Sequence, residues 1–192
     1  RINMARLNTD GSLDPLFLGP TSGGIFALLP DSRIICGDAQ NRLSPDGVRD
    51  PTYYPGSGCN SGVTCLLQQP DGRILVGGYF ARYAGTDARG LVRLEADGTR
   101  DPGFIADLPT PYPGSNSSGI SDMVLQPDGK LLVVRLGGDR LNADGSVDPY
   151  FDDGTGGSDG SFPGCLALLP DGKILVGGDF TTYNGQPHSA LV

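Results

Sequence analysis

The chain of 192 residues has 14 basic and 22 acidic side chains and a formal net charge of −8. Binding to nucleic acid or to an anionic membrane surface is disfavoured, because no basic patch is visible. No apolar run reaches the roughly 18 residues of a transmembrane helix, so no membrane insertion is expected. The 31 glycines and 16 prolines recur at fixed offsets between apolar runs, which is typical of turns in an all-β protein.

Two motifs alternate along the chain at a spacing of about 35 to 55 residues, which indicates a repeat architecture. The first reads Arg-Leu, two residues, Asp-Gly, two residues, Asp-Pro, and its copies begin at Arg6, Arg42, Arg93 and Arg140. An aromatic follows each copy, namely Phe17, Tyr53 or Tyr54, Phe104 and Phe151. The second places Pro-Asp-Gly between two apolar runs, starting at Pro30 (where Ser replaces Gly), Pro70, Pro127 and Pro170.

Each motif predicts a β-hairpin, since Asp-Gly between apolar runs favours a tight turn in which Gly takes a positive φ. The second motif supplies strands a and b, predicted at 165–169 and 173–178 in the fourth unit. The first supplies strands c and d, predicted at 139–142 and 146–151 in the third. The structural turn residues are Asp10, Gly11, Asp46, Gly47, Asp71, Gly72, Asp97, Gly98, Asp128, Gly129, Asp144, Gly145, Asp171 and Gly172.

Strand b is a continuous apolar run in several units, as in Ile174-Leu175-Val176, which predicts burial on both faces. Four short antiparallel strands per unit, repeated radially, indicate a β-propeller-type fold with four blade equivalents. The loops between strands b and c are long and polar in units two and four, and a binding site is expected in such loops.

We divide the chain as one repeat domain, 1–192. Its parts are a c–d hairpin of a split blade at 1–17, a short unit at 18–54, a long unit at 55–104, a short unit at 105–151, and the a–b–c part of the split blade at 152–192. Because the chain begins and ends inside strand c, we expect a processed product or a segment of something longer. Either the two ends close a ring of four, or the chain is an arc completed by further sequence or by another copy.

The runs Gln126-Pro127-Asp128-Gly129-Lys130, Lys173 to Phe180 and Arg140 to Phe151 are similar to the delta-60 repeat family. The resemblance covers nearly the whole chain. It implies β-propeller units in secreted or surface-displayed bacterial proteins, and the family offers no established catalytic residues to carry over. The short b–c turns of units one and three depart from its pattern.

Among the four cysteines we predict one disulfide, between Cys59 and Cys65, which would restrict the motion of a Gly/Ser-rich loop. A Cys36–Cys165 pair is a weaker alternative that needs a closed ring. Cys36 otherwise occupies the position of Val76 and Val176, and we expect it to be a buried small hydrophobe. Zinc is not expected because no Cys-x-x-Cys pair is present.

Two other site hypotheses start from oxygen-rich turns and from loop aromatics. Asn142, Asp144, Ser146 and Asp148 could offer alternating oxygens to calcium, but local turn chemistry accounts for the same pattern and is favoured. Phe80 and Phe180 are expected to be packing anchors, while Tyr83 and Tyr183 are open candidates for sugar binding.

The function favoured by the sequence is a non-enzymatic, extracellular or cell-surface structural and interaction module, associating with a protein partner or with itself through the split blade. The alternative is a lectin-like or calcium-dependent binding propeller, with a glycan as partner. No cofactor, no resident metal and no catalytic residue are predicted, since His188, the only histidine, has no Ser or Cys nucleophile motif beside it.

Overall fold

The computed structural model describes residues 4–19, 24–37, 39–108, 119–135, 138–152 and 163–187. All regular secondary structure in those ranges is β-strand, and every pairing is antiparallel. They contain no helix that is both long and apolar enough to cross a membrane. The predicted all-β class is confirmed.

Three sheets follow one plan, in which the middle strand is strand b of a unit. The first sheet consists of β1 (Phe26–Leu28), β2 (Ile34–Cys36) and β3 (Asn41–Leu43). Unit two has β4 (Val63–Gln68), β5 (Ile74–Gly78), the small hairpin β6 (Arg82–Tyr83) and β7 (Thr86–Asp87), and β8 (Leu91–Leu94). The third sheet consists of β9 (Asp122–Leu125), β10 (Leu131–Val134) and β11 (Gly138–Leu141).

The fourth unit repeats the first half of the second. It has the pair β12 (Pro163–Leu168) and β13 (Ile174–Gly178), followed by the small hairpin β14 (Thr182–Tyr183) and β15 (Gln186–Pro187). The strand c expected at its end falls on 189–192, outside the described residues. The polar b–c loops of units two and four are therefore short hairpins rather than irregular segments.

The fourth strand of the predicted unit is shorter than expected. Strand d is one isolated bridge in each copy: Leu7 to Leu13, Leu43 to Arg49, Leu94 to Arg100 and Leu141 to Val147. The next N–H also donates to strand c, as when Asp101 donates to the carbonyl of Arg93 at 2.9 Å. The residue after it is Pro, which has no N–H to continue the ladder. The Asp-Pro step therefore ends strand d.

The turns form as predicted. In the second unit Gly72 N–H donates to the carbonyl of Gln69 at 2.9 Å, and Gly72 has a φ of 89°. The Asp71 carboxylate accepts from the backbone N–H of Arg73 at 3.0 Å. In the first unit Ser32 occupies the glycine position, with a φ of 65°, a conformation that costs an L-residue free energy.

Successive units pack through their inner strands, with β1 on β4, β4 on β9, and β9 on β12. One apolar cluster lies between units one and two and another between units two and three. Both β5 and β10 are buried along their whole length, as the continuous apolar run predicts, whereas Ile174 and Leu175 of β13 are only half-buried, so the prediction is wrong for that strand. In the described ranges the sheets remain a succession of separate sheets, and no closed sheet is formed.

Replacing Ser32 with Gly should stabilise the fold by about 0.5–1 kcal/mol, because Gly adopts the left-handed conformation without a Cβ penalty. Urea unfolding followed by circular dichroism measures the change. Gly72→Ser, at the equivalent position of the next unit, is the control and should destabilise by a similar amount. A loss of stability in Ser32→Gly would contradict this account of the turn.

Candidate functional site: the contacts between units

Each c–d hairpin carries the same side-chain arrangement, in which the Arg of Arg-Leu pairs with the Asp of Asp-Pro and covers the following aromatic. Arg93 Nε donates to Asp101 at 2.7 Å, and its guanidinium lies 4.7 Å from the centre of the Phe104 ring. The other three copies are Arg6 with Asp14 and Phe17, Arg42 with Asp50 and Tyr53, and Arg140 with Asp148 and Phe151. Tyr53, not Tyr54, is therefore the repeat aromatic of unit one.

In units one to three the Asp of the arrangement also bonds to the basic residue directly before strand b of its own unit. Lys130 donates to Asp148 at 2.7 Å, and Arg33 donates to Asp50 at 3.2 Å. The hydrogen bond from Lys130, with others from the Tyr150 N–H and Arg140, lowers the pKa of Asp148 to about 2. Hydrogen bonds from Thr52, and then from Arg42, hold the pKa of Asp50 well below its usual range. These carboxylates are therefore charged at neutral pH and are part of the packing.

The arrangement also extends across the boundary to the next unit. Arg6, Arg42 and Arg93 each donate to a backbone carbonyl in the next c–d turn, those of Pro45, Ala96 and Ala143 respectively. The backbone N–H after each aromatic does the same. Tyr54 donates to the carbonyl of Asp97 at 2.6 Å, and Ile105 to that of Asp144 at 3.0 Å. Three successive contacts are thus built in one way.

The glycine of the next turn allows the two units to approach each other closely. A Cβ on Gly98 would lie 2.6 Å from the Tyr53 ring, and one on Gly145 would lie 2.6 Å from the carbonyl oxygen of Ile105. Gly47 meets Gly19 and Phe17 in the same manner. The turn at Gly11 differs, because no atom lies within 4 Å of a Cβ built there. The first turn of the series therefore has no unit packed on it within the described residues.

The last copy of the series is open at the other end. Arg140 bonds to Asp148, and the described residues place no carbonyl of a following turn against it. Tyr150 beside it is 91% exposed. A cavity of about 220 Å³ lies between units three and four, lined among others by Phe151, Leu166, Ile174 and Val176. The equivalent space between units one and two is filled by Val92 and Leu94 of strand c.

The predicted turn residues all lie in turns at one edge of the units. Asp10 and Asp144 accept from the N–H and the hydroxyl of the Ser two residues later, and the Ser12 hydroxyl lowers the pKa of Asp10. These contacts favour the turn interpretation of the oxygen-rich sequence. In the described part of the chain no group of three or more His, Cys, Asp or Glu is placed to hold a metal ion. Calcium binding stays an untested prediction.

The disulfide expected between Cys59 and Cys65 is not formed in this structure, and neither is the Cys36–Cys165 pair. Cys59 packs in the cluster between units one and two, whereas Cys65 packs against the cluster between units two and three. The two thiols thus point to opposite faces of one sheet. Cys36 is fully buried, as expected, and burial raises the pKa of its thiol to about 11.

The loop aromatics are mostly anchors. Phe80 and Phe180 are buried, and Tyr83 is buried with its hydroxyl donating to the carbonyl of Gly98 at 2.8 Å. Tyr83 is therefore a packing residue, and its buried ring is not accessible to a sugar at the b–c loop of unit two. His188 lies outside the described residues.

Two residues that the sequence interpretation missed are Gln69 and Gln126, which line a second cavity at the turn edge of units two to four. The side-chain oxygens of both are buried without a hydrogen-bond partner. A signal was present in the repeats, since Leu29 and Leu169 stand at the same position, directly before the Pro of the second motif.

Comparison with known proteins supports the fold. A family model described as a domain of unknown function (DUF5122) beta-propeller matches residues 1–17, 69–104 and 169–192. The match supports a propeller-type repeat family, and it does not single out the delta-60 repeats. No curated protein matches the chain.

Several solved structures share the fold at low identity. Virginiamycin B lyase from Staphylococcus aureus aligns with a TM-score of 0.58 and 18% identity, over 95% of this chain and 64% of that one. A gluconolactonase candidate aligns with a TM-score of 0.53 and 19% identity, over 93% and 66%. The extracellular domain of a one-component-system candidate from B. thetaiotaomicron has a TM-score of 0.56 and 17% identity, over 83% and 20%.

The chain spans 47% and 64% of the two virginiamycin B lyase structures that it matches. The similarity shows an all-β fold of propeller type. It also corrects one expectation. The exclusion of an enzyme is wrong, because proteins with this fold include a lyase and a gluconolactonase candidate. Repeat motifs describe the scaffold, so the lack of a catalytic motif in them excludes no chemistry in the loops.

Replacing Arg93 with Met should lower the free energy of unfolding by about 3 kcal/mol, because it leaves the buried Asp101 without its main partner. Met keeps the apolar stem over Phe104. The matched control is Arg140→Met, which removes no bond to a following turn among the described residues and leaves Asp148 bonded to Lys130 at 2.7 Å, so we expect about 1 kcal/mol. Denaturant unfolding measures both variants, and equal losses would contradict a role of the Arg in joining units.

Proposed function

We propose that the chain is an extracellular interaction module with four blade equivalents, in which residues 6–17 of one copy complete the fourth unit of another. The observation that carries this proposal is the exposure of Leu7. It is 62% exposed, whereas the same residue of the other copies is at most 2% exposed at Leu43, Leu94 and Leu141. Each of those packs on strand b of its own unit, and residues 4–17 contain the c–d hairpin alone.

The pairing register of strands b and c in the other units gives the position that Leu7 would take. Leu43 faces Ile34, Leu94 faces Ile74, and Leu141 faces Leu131, so in each unit the Leu of Arg-Leu pairs with the first residue of strand b. The first residue of β13 is Ile174, which lines the cavity between units three and four. Leu7 placed opposite Ile174 would fill that cavity as Leu94 fills its counterpart. Burying a leucine in this way contributes on the order of 2 kcal/mol.

Charge complementarity supports the same placement. In three units the basic residue at the start of strand b reaches the Asp of Asp-Pro: Arg33 to Asp50, Arg73 to Asp101 and Lys130 to Asp148. The fourth such residue is Lys173, whose side chain is 77% exposed. The equivalent carboxylate for a hairpin docked on unit four is Asp14. Docking would bring a cation and an anion together as in every other unit.

The two proposed contact surfaces also match in kind, since one is a c–d turn and the other is an arrangement that binds such a turn in the other units. The turn at Gly11 has nothing packed on it, and the Arg140–Phe151 arrangement has no following turn among the described residues. Residues 4–19 already sit on unit one, where Leu18 N–H donates to the carbonyl of Asp46 at 2.9 Å. A hairpin held there is placed to bind the fourth unit of a neighbouring copy. Such a head-to-tail contact yields rings or chains of copies.

The extracellular location has separate support. A protein of similar fold is the extracellular domain of a one-component-system candidate, and the resemblance to secreted repeat proteins points the same way. The net charge of −8 favours a protein partner over nucleic acid.

Multi-angle light scattering across a concentration series tests the proposal. The wild-type chain should rise above the mass of one 20.0 kDa copy as concentration increases. Leu7→Asp should weaken the association at least tenfold, because it places a carboxylate against Ile174. The matched control is Leu16→Asp, at an exposed leucine of the same hairpin outside this register, and it should associate like the wild type.

A strictly monomeric wild type at high concentration would overturn the proposal. So would equal behaviour of the two variants, since the register gives only Leu7 a place in the contact. Circular dichroism of each variant confirms that the sheets are intact.

A further inference from the structure

The inner strand of unit one has an exposed apolar face. Phe26 and Leu28 of β1 are 61% and 68% exposed, and they lie two residues apart, on the same face of the strand. Phe26 pairs with Cys36 of β2, as Met123 pairs with Val133 of β10, so Phe26 and Met123 occupy one position of the repeat. Met123 is 4% exposed. This position is therefore covered in unit three and open in unit one.

The contact between units two and three shows what covers the position. Met123 packs in one cluster with Leu75 of β5, and two residues of β4, Cys65 and Leu67, pack against the same cluster. Leu67 and Leu75 are partners in the pairing of β4 with β5. Strands a and b of one unit thus form a face that covers strand a of the next unit.

Unit four has the same face, and it is open. Cys165 and Ala167 of β12 are exposed, and Leu175 of β13 is half-buried, at the positions of Cys65, Leu67 and Leu75. Ala167 pairs with Leu175, as in unit two. The open face of unit four and the open face of unit one are therefore the two halves of one contact between units.

The sizes of the side chains also match across these two faces. The contact between units two and three combines Leu67 with Met123 in one cluster. At the same two positions the end faces have Ala167 and Phe26, a smaller residue on unit four and a larger one on unit one. Because close-packed contacts tolerate exchanges that conserve the total volume, the two changes offset each other.

The hairpin at residues 4–19 indicates that the occupant is a second copy. Leu18 N–H donates to the carbonyl of Asp46, so the hairpin lies before unit one as the outer half of a preceding unit. The exposure of Phe26 shows that the inner half of such a unit is not packed on β1. The pair β12 and β13 is an inner half, and a copy whose inner half binds this hairpin brings its open face to Phe26.

We propose that unit one of one copy packs on unit four of another, with Phe26 against Ala167 and Leu175. The copies are then joined by a complete contact between units, made of inner strands as well as the c–d hairpin. This packing rests on the proposed self-association and names the second surface that it uses. Burial of the Phe26 ring adds apolar area to that of Leu7.

Light scattering over a concentration series tests the packing. Phe26→Asp should weaken association at least tenfold, because it places a carboxylate in an apolar contact. Ala167→Leu should weaken it as well, because Phe26 leaves no room for a larger side chain. Adding Phe26→Met to Ala167→Leu recreates the residues of the contact between units two and three and should restore association. The control is Ile105→Asp, at a residue that is 67% exposed in the middle of the series, and it should associate like the wild type.

Thiol labelling adds a measurement that is independent of mass. Cys165 is exposed, whereas Cys36 and Cys59 are buried and Cys65 is half-buried. The reaction of Cys165 with a maleimide, followed by peptide mass spectrometry, should slow at least tenfold when the wild type associates, because the contact covers this residue. In Phe26→Asp at the same concentration the reaction should stay fast. Circular dichroism of each variant confirms that the sheets are intact.

The outcomes separate this packing from the docking of the hairpin. If Leu7→Asp weakens association, Phe26→Asp does not, and Cys165 stays reactive in the associated wild type, the packing is overturned and the docking stands. Weakening by Phe26→Asp without weakening by Leu7→Asp would support the packing and overturn the docking. A wild type that remains monomeric would overturn both.

Discussion

The packing of successive units depends on one ion pair, formed by the Arg and the Asp of the c–d hairpin. A single unit provides only some of the hydrogen-bond partners of this pair. Asp101 accepts from Nε of Arg93 and from the backbone N–H of Gly103, while Nη1 of Arg93 donates to the carbonyl of Ala143 in the next unit. A buried guanidinium with an unused donor is costly. The next turn therefore supplies Arg93 with an acceptor that its own unit does not provide, and the same bond at Arg6 and Arg42 links successive units.

The same constraint explains why the ends of the series differ from its middle. Gly98 and Gly145 are held against the preceding unit, and the turn at Gly11 carries no such contact. At the other end, Arg140 is more exposed than Arg93 and bonds to Asp148. Repeat proteins generally bury their units against neighbours, and the proposed association between copies would supply such a neighbour to the outer units. That proposal depends on the contrast between Leu94, which is buried, and Leu7, which is exposed.

Much of the fold could be predicted from the sequence, because local turn chemistry and apolar runs determine it. Asp71-Gly72 forms its turn as expected, and Cys36 is buried like the valines at its position. The length of strand d was overestimated, because the pattern of apolar residues extends beyond the Asp-Pro step but the hydrogen bonding does not. The Cys59–Cys65 bridge was inferred from proximity in sequence, and the two residues lie in different clusters because Cys65 is on the opposite face of β4.

The candidate sites were harder to predict, because they depend on where copies of the repeat differ rather than on what they share. Gln69 and Gln126 resemble ordinary polar residues near a turn until Leu29 is seen packed at the same position. Arg93 resembles a solvated charge until its partner carbonyl, 50 residues later, is placed beside it. The exclusion of catalysis failed for a related reason, since shared motifs report on the scaffold and chemistry is carried by what varies.

Hydrogen exchange at two backbone amides tests the linking of units most directly. The N–H of Tyr54, the last residue of unit one, donates to a carbonyl of unit two, and the N–H of Ile105, which directly follows unit two, donates to a carbonyl in the c–d turn of unit three. If the boundaries hold as described, both amides exchange only through global unfolding, as slowly as the amides of β5. Exchange of Tyr54 and Ile105 within minutes, while β5 stays protected, would contradict the account, because the units would then separate without unfolding.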